Sequence, residues 1–183
     1  MKISYLRIKN FIAIDDFEIN DIQNALILVG KNNTGKTIVI DAIRAVTGDF
    51  QIRKQDFLNQ GKPILVSLEV EFTDADLKLF HSKGIVSKYK NYDKWFNEFH
   101  KRLPSFKDGK LSFTCKINDQ GVRKYDDGSK HNNSYIKEVL PKIYYLDHRR
   151  DFEPIIDDTV GLYDTEELIG LRENICMFDK MRK

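Results

Sequence analysis

Eight residues constrain this chain more than any others. Gly30-Lys31-Asn32-Asn33-Thr34-Gly35-Lys36-Thr37 fits the phosphate-loop pattern G-x-x-x-x-G-K-[ST] at every fixed position. The flanks agree with it. Ala25–Val29 is an apolar run of the kind that forms a buried central strand, and Ile38, Val39, Ala42, Ile43 and Val46 recur at helical spacing before Gly48, a helix-ending residue. A polyphosphate needs many donors at close range, so such a loop curls with its backbone N–H groups inward, a path that Gly30 and Gly35 permit. The following helix adds unpaired N–H groups and its positive dipole end. Lys36 suits the β- and γ-phosphates and the Thr37 hydroxyl suits Mg²⁺. By average residue usage the four fixed positions arise by accident in about one chain in two hundred of this length, and the strand-then-helix context lowers that further.

The remaining pattern is mixed. Residues 2–9 alternate, with Ile3, Leu6 and Ile8 set against Lys2, Ser4, Arg7 and Lys9, and Phe17 and Ile19 share a face of a second strand over Asp15–Asn20. Gln51–Lys62 is polar and turn-rich, after which Val66–Phe72 alternates again. Thr73 or Asp74 is placed to cap a helix containing Leu77, Leu79 and Phe80. Leu111–Ile117 is a further strand, and Asn118-Asp119-Gln120-Gly121 is a hairpin turn leading into Val122–Tyr125. Residues 82–110 interleave lysines with aromatics, a composition able to hold nucleic acid by phosphate contact and base stacking. Yet Tyr89, Tyr92, Phe96, Phe99 and Leu103 fall at spacings of three and four, which favours a helix burying one face. Asp164 and Glu167 form a capping-box pattern for a last helix through Leu168, Leu171, Ile175 and Phe178 that reaches Lys183 without a stop signal.

Composition excludes other classes. With 183 residues, 41% hydrophobic and 32% charged, the chain is neither disordered nor membrane-embedded, and a formal net charge of +2 does not by itself call for a nucleic-acid partner. Cys115 and Cys176 lack metal-ligand spacing and read as free thiols of a reducing cytoplasm. Lys2, Arg7 and Lys9 interrupt any signal-peptide pattern, and no apolar run approaches membrane-spanning length.

Met1-Lys2-Ile3-Ser4-Tyr5-Leu6-Arg7-Ile8-Lys9-Asn10-Phe11 resembles the opening of ABC-type chromosome and DNA-repair ATPases, the SMC, RecF and OLD-like proteins. Asn32 stands at the additional Asn of their loop, G-x-N-x-x-G-K-[ST], and Asp41-Ala42-Ile43 matches their first helix. The resemblance covers residues 1–48; Ile12 stands where the family often has Arg or Lys. It implies an α/β fold, the N-terminal part of an ABC-type P-loop NTPase head with an antiparallel β lobe and an inserted helical segment. On that reading 1–183 is one ATPase domain, cut short. Residues 1–50 hold strands, phosphate loop and first helix, 64–125 hold the antiparallel lobe with a helical insertion at 74–105, and 142–183 add a core strand and C-terminal helix. The resemblance also implies that ATP and Mg²⁺ bind through Gly30, Lys31, Asn32, Asn33, Thr34, Gly35, Lys36, Thr37 and Ile38, with Lys36 catalytic and Thr37 on the metal. In the complete protein it implies DNA and a second identical head as partners, in the cytoplasm and away from membranes. No Ser-Gly-Gly signature and no strand ending in Asp-Glu occurs, so this chain is expected to bind ATP without turning it over alone.

Lys142-Ile143-Tyr144-Tyr145-Leu146-Asp147 complicates the account, because an apolar strand ending in Asp has the form of a Mg²⁺-ordering aspartate. Arg149 and Arg150 follow it as possible contacts to phosphate or DNA. Two other functions therefore stand beside the first: a self-contained P-loop kinase or NTPase using Asp147, and a non-hydrolysing nucleotide-binding interaction module. The absence of an Asn-Lys-x-Asp element weighs against a GTPase.

Overall fold

The alternation of residues 2–9 builds the strand on which the fold is organised. In the structure, a computed structural model describing residues 1–23, 25–29, 35–141 and 143, β1 runs Lys2–Phe11 and buries Leu6 and Ile8 while Arg7 and Lys9 face outward. It pairs on one edge with β2 (Ile14–Ile19) and on the other with β3 (Ile64–Glu71), both antiparallel. The sheet continues through β5 (Lys110–Ile117) to the short β4 (Phe106–Lys107), and β6 (Arg123–Asp126) also pairs with β5. Register sets the apolar side chains on one face: Ile8 opposes Val66, Leu6 opposes Leu68, Val66 opposes Cys115 and Leu68 opposes Phe113. Against that face packs α1 (Lys36–Thr47), burying Val39, Ala42, Ala45 and Val46. The β5–β6 turn is the hairpin read from sequence. Asn118 Oδ1 accepts from the N–H groups of Gln120 and Val122, and Gly121 takes φ +75°, a left-handed position suited to glycine.

The opposite face of the sheet is polar and charge-balanced. Asp16 receives Arg7 at 2.7 Å and Lys9 at 3.2 Å, Lys110 lies 2.9 Å from Glu69 and 3.0 Å from Glu71, and Lys116 lies 2.7 Å from Asp126. The Arg7 guanidinium holds the Asp16 carboxyl at about 2, and Lys116 holds Asp126 equally low.

Between β3 and β4 lies the helical insertion, α2 (Asp74–Ser82) and α3 (Tyr92–Arg102). The Thr73 hydroxyl accepts from the Asp76 N–H while the Asp76 carboxylate accepts from the Thr73 N–H, and Asn91 Oδ1 accepts from the Lys94 N–H. The aromatic residues of α3 face inward. Trp95 and Phe99 are fully buried, and Phe99 meets Phe106 edge-on at 5.2 Å. Trp95 Nε1 donates to the Ile85 carbonyl at 2.9 Å, so its one polar atom is satisfied. Tyr89 departs from the expected face: it precedes the Asn91 cap and is half exposed. A short α4 (Tyr135–Val139), not evident in the sequence, buries Ile136 and Val139.

One expected element is corrected. Ala25–Val29 forms no strand, and Ile27 and Val29 are 81% and 91% exposed. An apolar run can become a central strand only with partners on both edges and cover on both faces. Among the described residues every named strand pairs antiparallel with another, and none lies beside this run.

Trp95→Ala opens a cavity among Phe99, His81 and Tyr92 and removes a satisfied donor. It is expected to cost about 3–5 kcal/mol in urea unfolding, with Trp95→Phe costing less than half of that.

Candidate phosphate-binding site

The fixed residues Gly35, Lys36 and Thr37 converge on the start of α1. Gly35 occupies the N-cap at φ +88°, ψ 7°, a left-handed conformation that an L side chain adopts only with strain, and its carbonyl accepts from the Ile38 N–H at 3.0 Å. No side chain caps this end, and no acidic residue sits in the first turn. That contrasts with α2 and α3, which have Thr73 and Asn91 in that role. The positive dipole end of α1 thus starts at a glycine N-cap with no side-chain cap hydrogen bond and no acid in its first turn, an electrostatic setting that suits an anion. Lys36, half-buried, opens the helix and the exposed Thr37 follows it. These donors fit a phosphate, and the Thr37 hydroxyl is an oxygen ligand of the type that Mg²⁺ takes. Gly30, Lys31, Asn32, Asn33 and Thr34 lie outside the described residues, as do Asp147, Arg149, Arg150, Cys176 and the capping-box segment from Asp164.

A helix left open at its N-terminus must be held elsewhere, and α1 is held at its C-terminus. Gly48, at φ +100°, donates to the Arg44 carbonyl at 3.1 Å, and Asp49 donates to the same oxygen at 2.9 Å. Arg123 of β6 reaches across with Nε to Ala45 O at 2.6 Å and Nη2 to Phe50 O at 2.8 Å. The Tyr125 hydroxyl donates to Val46 O at 2.8 Å; burial pushes this phenol up to about 12, so it keeps its proton at neutral pH. Cations and donors at the negative end of a helix are favourable. Sequence reading missed Arg123 and Tyr125, because their partners lie more than seventy positions away.

Asn10 acts similarly on the loop after α1. At φ +59° and buried, it donates through Nδ2 to the carbonyls of Asn59 and Lys62 and accepts from the Asn59 N–H at 2.6 Å. The Ile12 N–H donates to Asp56 O at 2.7 Å, a bond that helps hold this β-branched residue at φ +51°. The Asn-Phe pair read as a family signature thus fixes where 53–63 sits. A cleft of about 400 Å³ lined by Arg44, Phe50, Gln51 and Arg53 lies at the far end of α1 from Lys36.

Other chemistries find no support among the described residues. Cys115 is a buried free thiol whose burial pushes it up to about 12, so it is no nucleophile. No cluster of three or more His, Cys, Asp or Glu could hold a metal, and no helix is long and apolar enough to cross a membrane.

Comparison with known proteins gives likenesses of three kinds. The AAA ATPase domain family matches residues 1–166. The DNA double-strand break repair Rad50 ATPase of Thermoplasma acidophilum is 34% identical over 93 residues, which make up 50% of this chain and 10% of the relative; the match thus spans about a tenth of that relative's length. A solved structure from work on ATP-driven dimerization and DNA-stimulated activation of SMC ATPases has a TM-score of 0.50, covering 96% of this chain and 99% of its own at 14% identity, a likeness of fold.

Arg123→Ala removes the side-chain donors to the Ala45 carbonyl in the last turn of α1 and to the Phe50 carbonyl just beyond it, and is expected to lower stability by about 2–3 kcal/mol, against about 1 kcal/mol for Tyr125→Phe. Urea unfolding of both variants checks the order.

Proposed function

Because this chain belongs to the AAA ATPase domain family, we propose that it binds Mg-ATP through Gly30–Ile38 and that the complete protein couples association of two such heads to DNA processing or repair. The observation that carries the reading is the α1 N-terminus: a left-handed Gly35 at an uncapped helix start, with Lys36 and Thr37 directly after it. In this reading the backbone N–H groups of Gly30, Lys31, Asn32, Asn33, Thr34 and Gly35 surround the phosphates. Lys36 orients the β- and γ-phosphates and lowers their mutual repulsion, and the Thr37 hydroxyl holds the metal. Bound Mg²⁺ supplies neutralisation of charge on the β- and γ-oxygens. Arg149 and Arg150 are candidate phosphate or DNA contacts in this reading, whereas a metal-ligand role for Asp147 belongs to the alternative of a self-contained P-loop enzyme.

The DNA element of the proposal draws on the Rad50 relative, named for double-strand break repair. The paired-head element draws on the fold shared with an SMC ATPase chain studied for ATP-driven dimerization. Both concern the whole protein.

Titration with Mg-ATP tests the core of this reading. Lys36→Ala removes the charge-assisted contacts and is expected to weaken ATP about 10–100-fold, with the unfolding midpoint little changed; unaltered affinity would overturn the assignment. Asp147→Asn is expected to leave ATP affinity within about twofold (RT ln 2 is about 0.4 kcal/mol). ATP turnover by this chain, abolished by Asp147→Asn, would instead establish a self-contained enzyme.

A further inference from the structure

Among the described residues, most of the positive charge on the helical insertion has no acidic partner. From Lys83 to Lys107 there are seven basic residues against Asp93 and Glu98, a local net charge of +5 in a chain of net +2. Among the described residues Glu98 pairs with Arg102 at 2.7 Å, whereas Lys83, Lys88, Lys90, Lys94, Lys101 and Lys107 are exposed and pair with no carboxylate. The sheet face is different, since Arg7, Lys9, Lys110 and Lys116 all have acidic partners there. Unpaired like charges repel one another and are retained at a cost unless a polyanion neutralises them.

The geometry of α3 separates the two readings of its sequence. Trp95 and Phe99 turn inward with no exposed area, while Lys94 and Lys101, seven residues apart, lie on the outer face about 10 Å from each other along the axis. Stacking on bases is thereby withdrawn from the buried aromatics, with Tyr89 alone half exposed. What remains on the outer face is chiefly an array of ammonium groups that can contact phosphates, with Asn97 between Lys94 and Lys101. That chemistry suits a duplex, whose bases are already stacked and whose phosphates are regularly spaced, better than a single strand needing aromatic platforms.

We propose that the outer face of the insertion, centred on Lys88, Lys90, Lys94 and Lys101, is a sequence-independent docking surface for the phosphate backbone of double-stranded DNA. The proposal rests on the reading of the complete protein as DNA-associated and gives that association a place on this chain. It requires no base contact, so affinity is set by charge neutralisation and falls steeply with salt.

The experiment is a fluorescence-anisotropy titration of a labelled 30-base-pair duplex with the 183-residue chain at 50–200 mM salt. It is repeated with Lys88→Gln/Lys94→Gln/Lys101→Gln and with a control, Lys62→Gln/Lys124→Gln, elsewhere on the surface. Loss of three phosphate contacts lowers the slope of log K against log salt by about 2.7, so raising salt from 50 to 200 mM weakens the triple variant about 40-fold less than wild type. The control keeps the wild-type slope, and two unrelated duplex sequences bind alike. The surface assignment is overturned if the triple variant keeps the wild-type slope, or if wild type does not bind duplex. Preference for a single strand that is lost in Tyr89→Ala, or for anionic vesicles over duplex, overturns it too. Mg-ATP titration of the same samples separates the two readings: ATP binding without duplex binding removes the surface alone, whereas failure to bind ATP removes the functional reading beneath it.

Discussion

The helix α1 starts at a glycine N-cap that makes no side-chain cap hydrogen bond, and the structure grips its other end. A capping side chain at Gly35 would compete with a phosphate for the first-turn N–H groups, so α1 cannot be secured there as α2 and α3 are by Thr73 and Asn91. Its C-terminal carbonyls instead receive Arg123 and Tyr125 from β6, and its apolar face lies on β1 and β3. Orientation of the site is therefore set by a hairpin far away in sequence. Asn10 extends the same logic to the segment after α1, fastening 53–63 to the end of β1.

Charge is organised on two principles in one chain. Across the outer face of the sheet, residues on neighbouring strands alternate in sign and neutralise one another, as with Lys110 between Glu69 and Glu71. Exposed pairs of this kind contribute little to stability, but they leave the face nearly neutral and so poorly suited to a polyanion. The insertion does the reverse. Its aromatic residues supply the burial that holds α3 in place, which frees the outward positions for unpaired lysines. The same helix thus serves as core and as charged surface, and neither use disturbs the other.

The chain belongs to the AAA ATPase domain family and shares its fold with an SMC ATPase chain, and in it the Lys36 helix packs on an antiparallel sheet. Between β3 and β4 sits the basic insertion, packed on the sheet through Phe99 against Phe106. Arg123 and Tyr125 join the C-terminal end of α1 to β6.

Local chemistry made much of this legible without coordinates. A left-handed glycine before Lys36, a strand alternating from Leu6 to Lys9, a Thr73 cap and an Asn118–Gly121 turn each follow from preferences acting over a few residues, and each is found. The apolar run Ala25–Val29 shows where such reasoning ends: hydrophobicity states that a segment favours burial, whereas becoming a strand requires neighbours that the segment does not encode. The ambiguity at 88–103 was of the same kind, since composition cannot say which way a side chain points until the helix docks. The sequence by itself determined the chemistry available at the phosphate loop and the class of fold around it. Only tertiary structure decided what holds α1, which aromatic residues are withdrawn from solvent and which lysines are left unpaired, because those outcomes depend on contacts between residues distant in the chain.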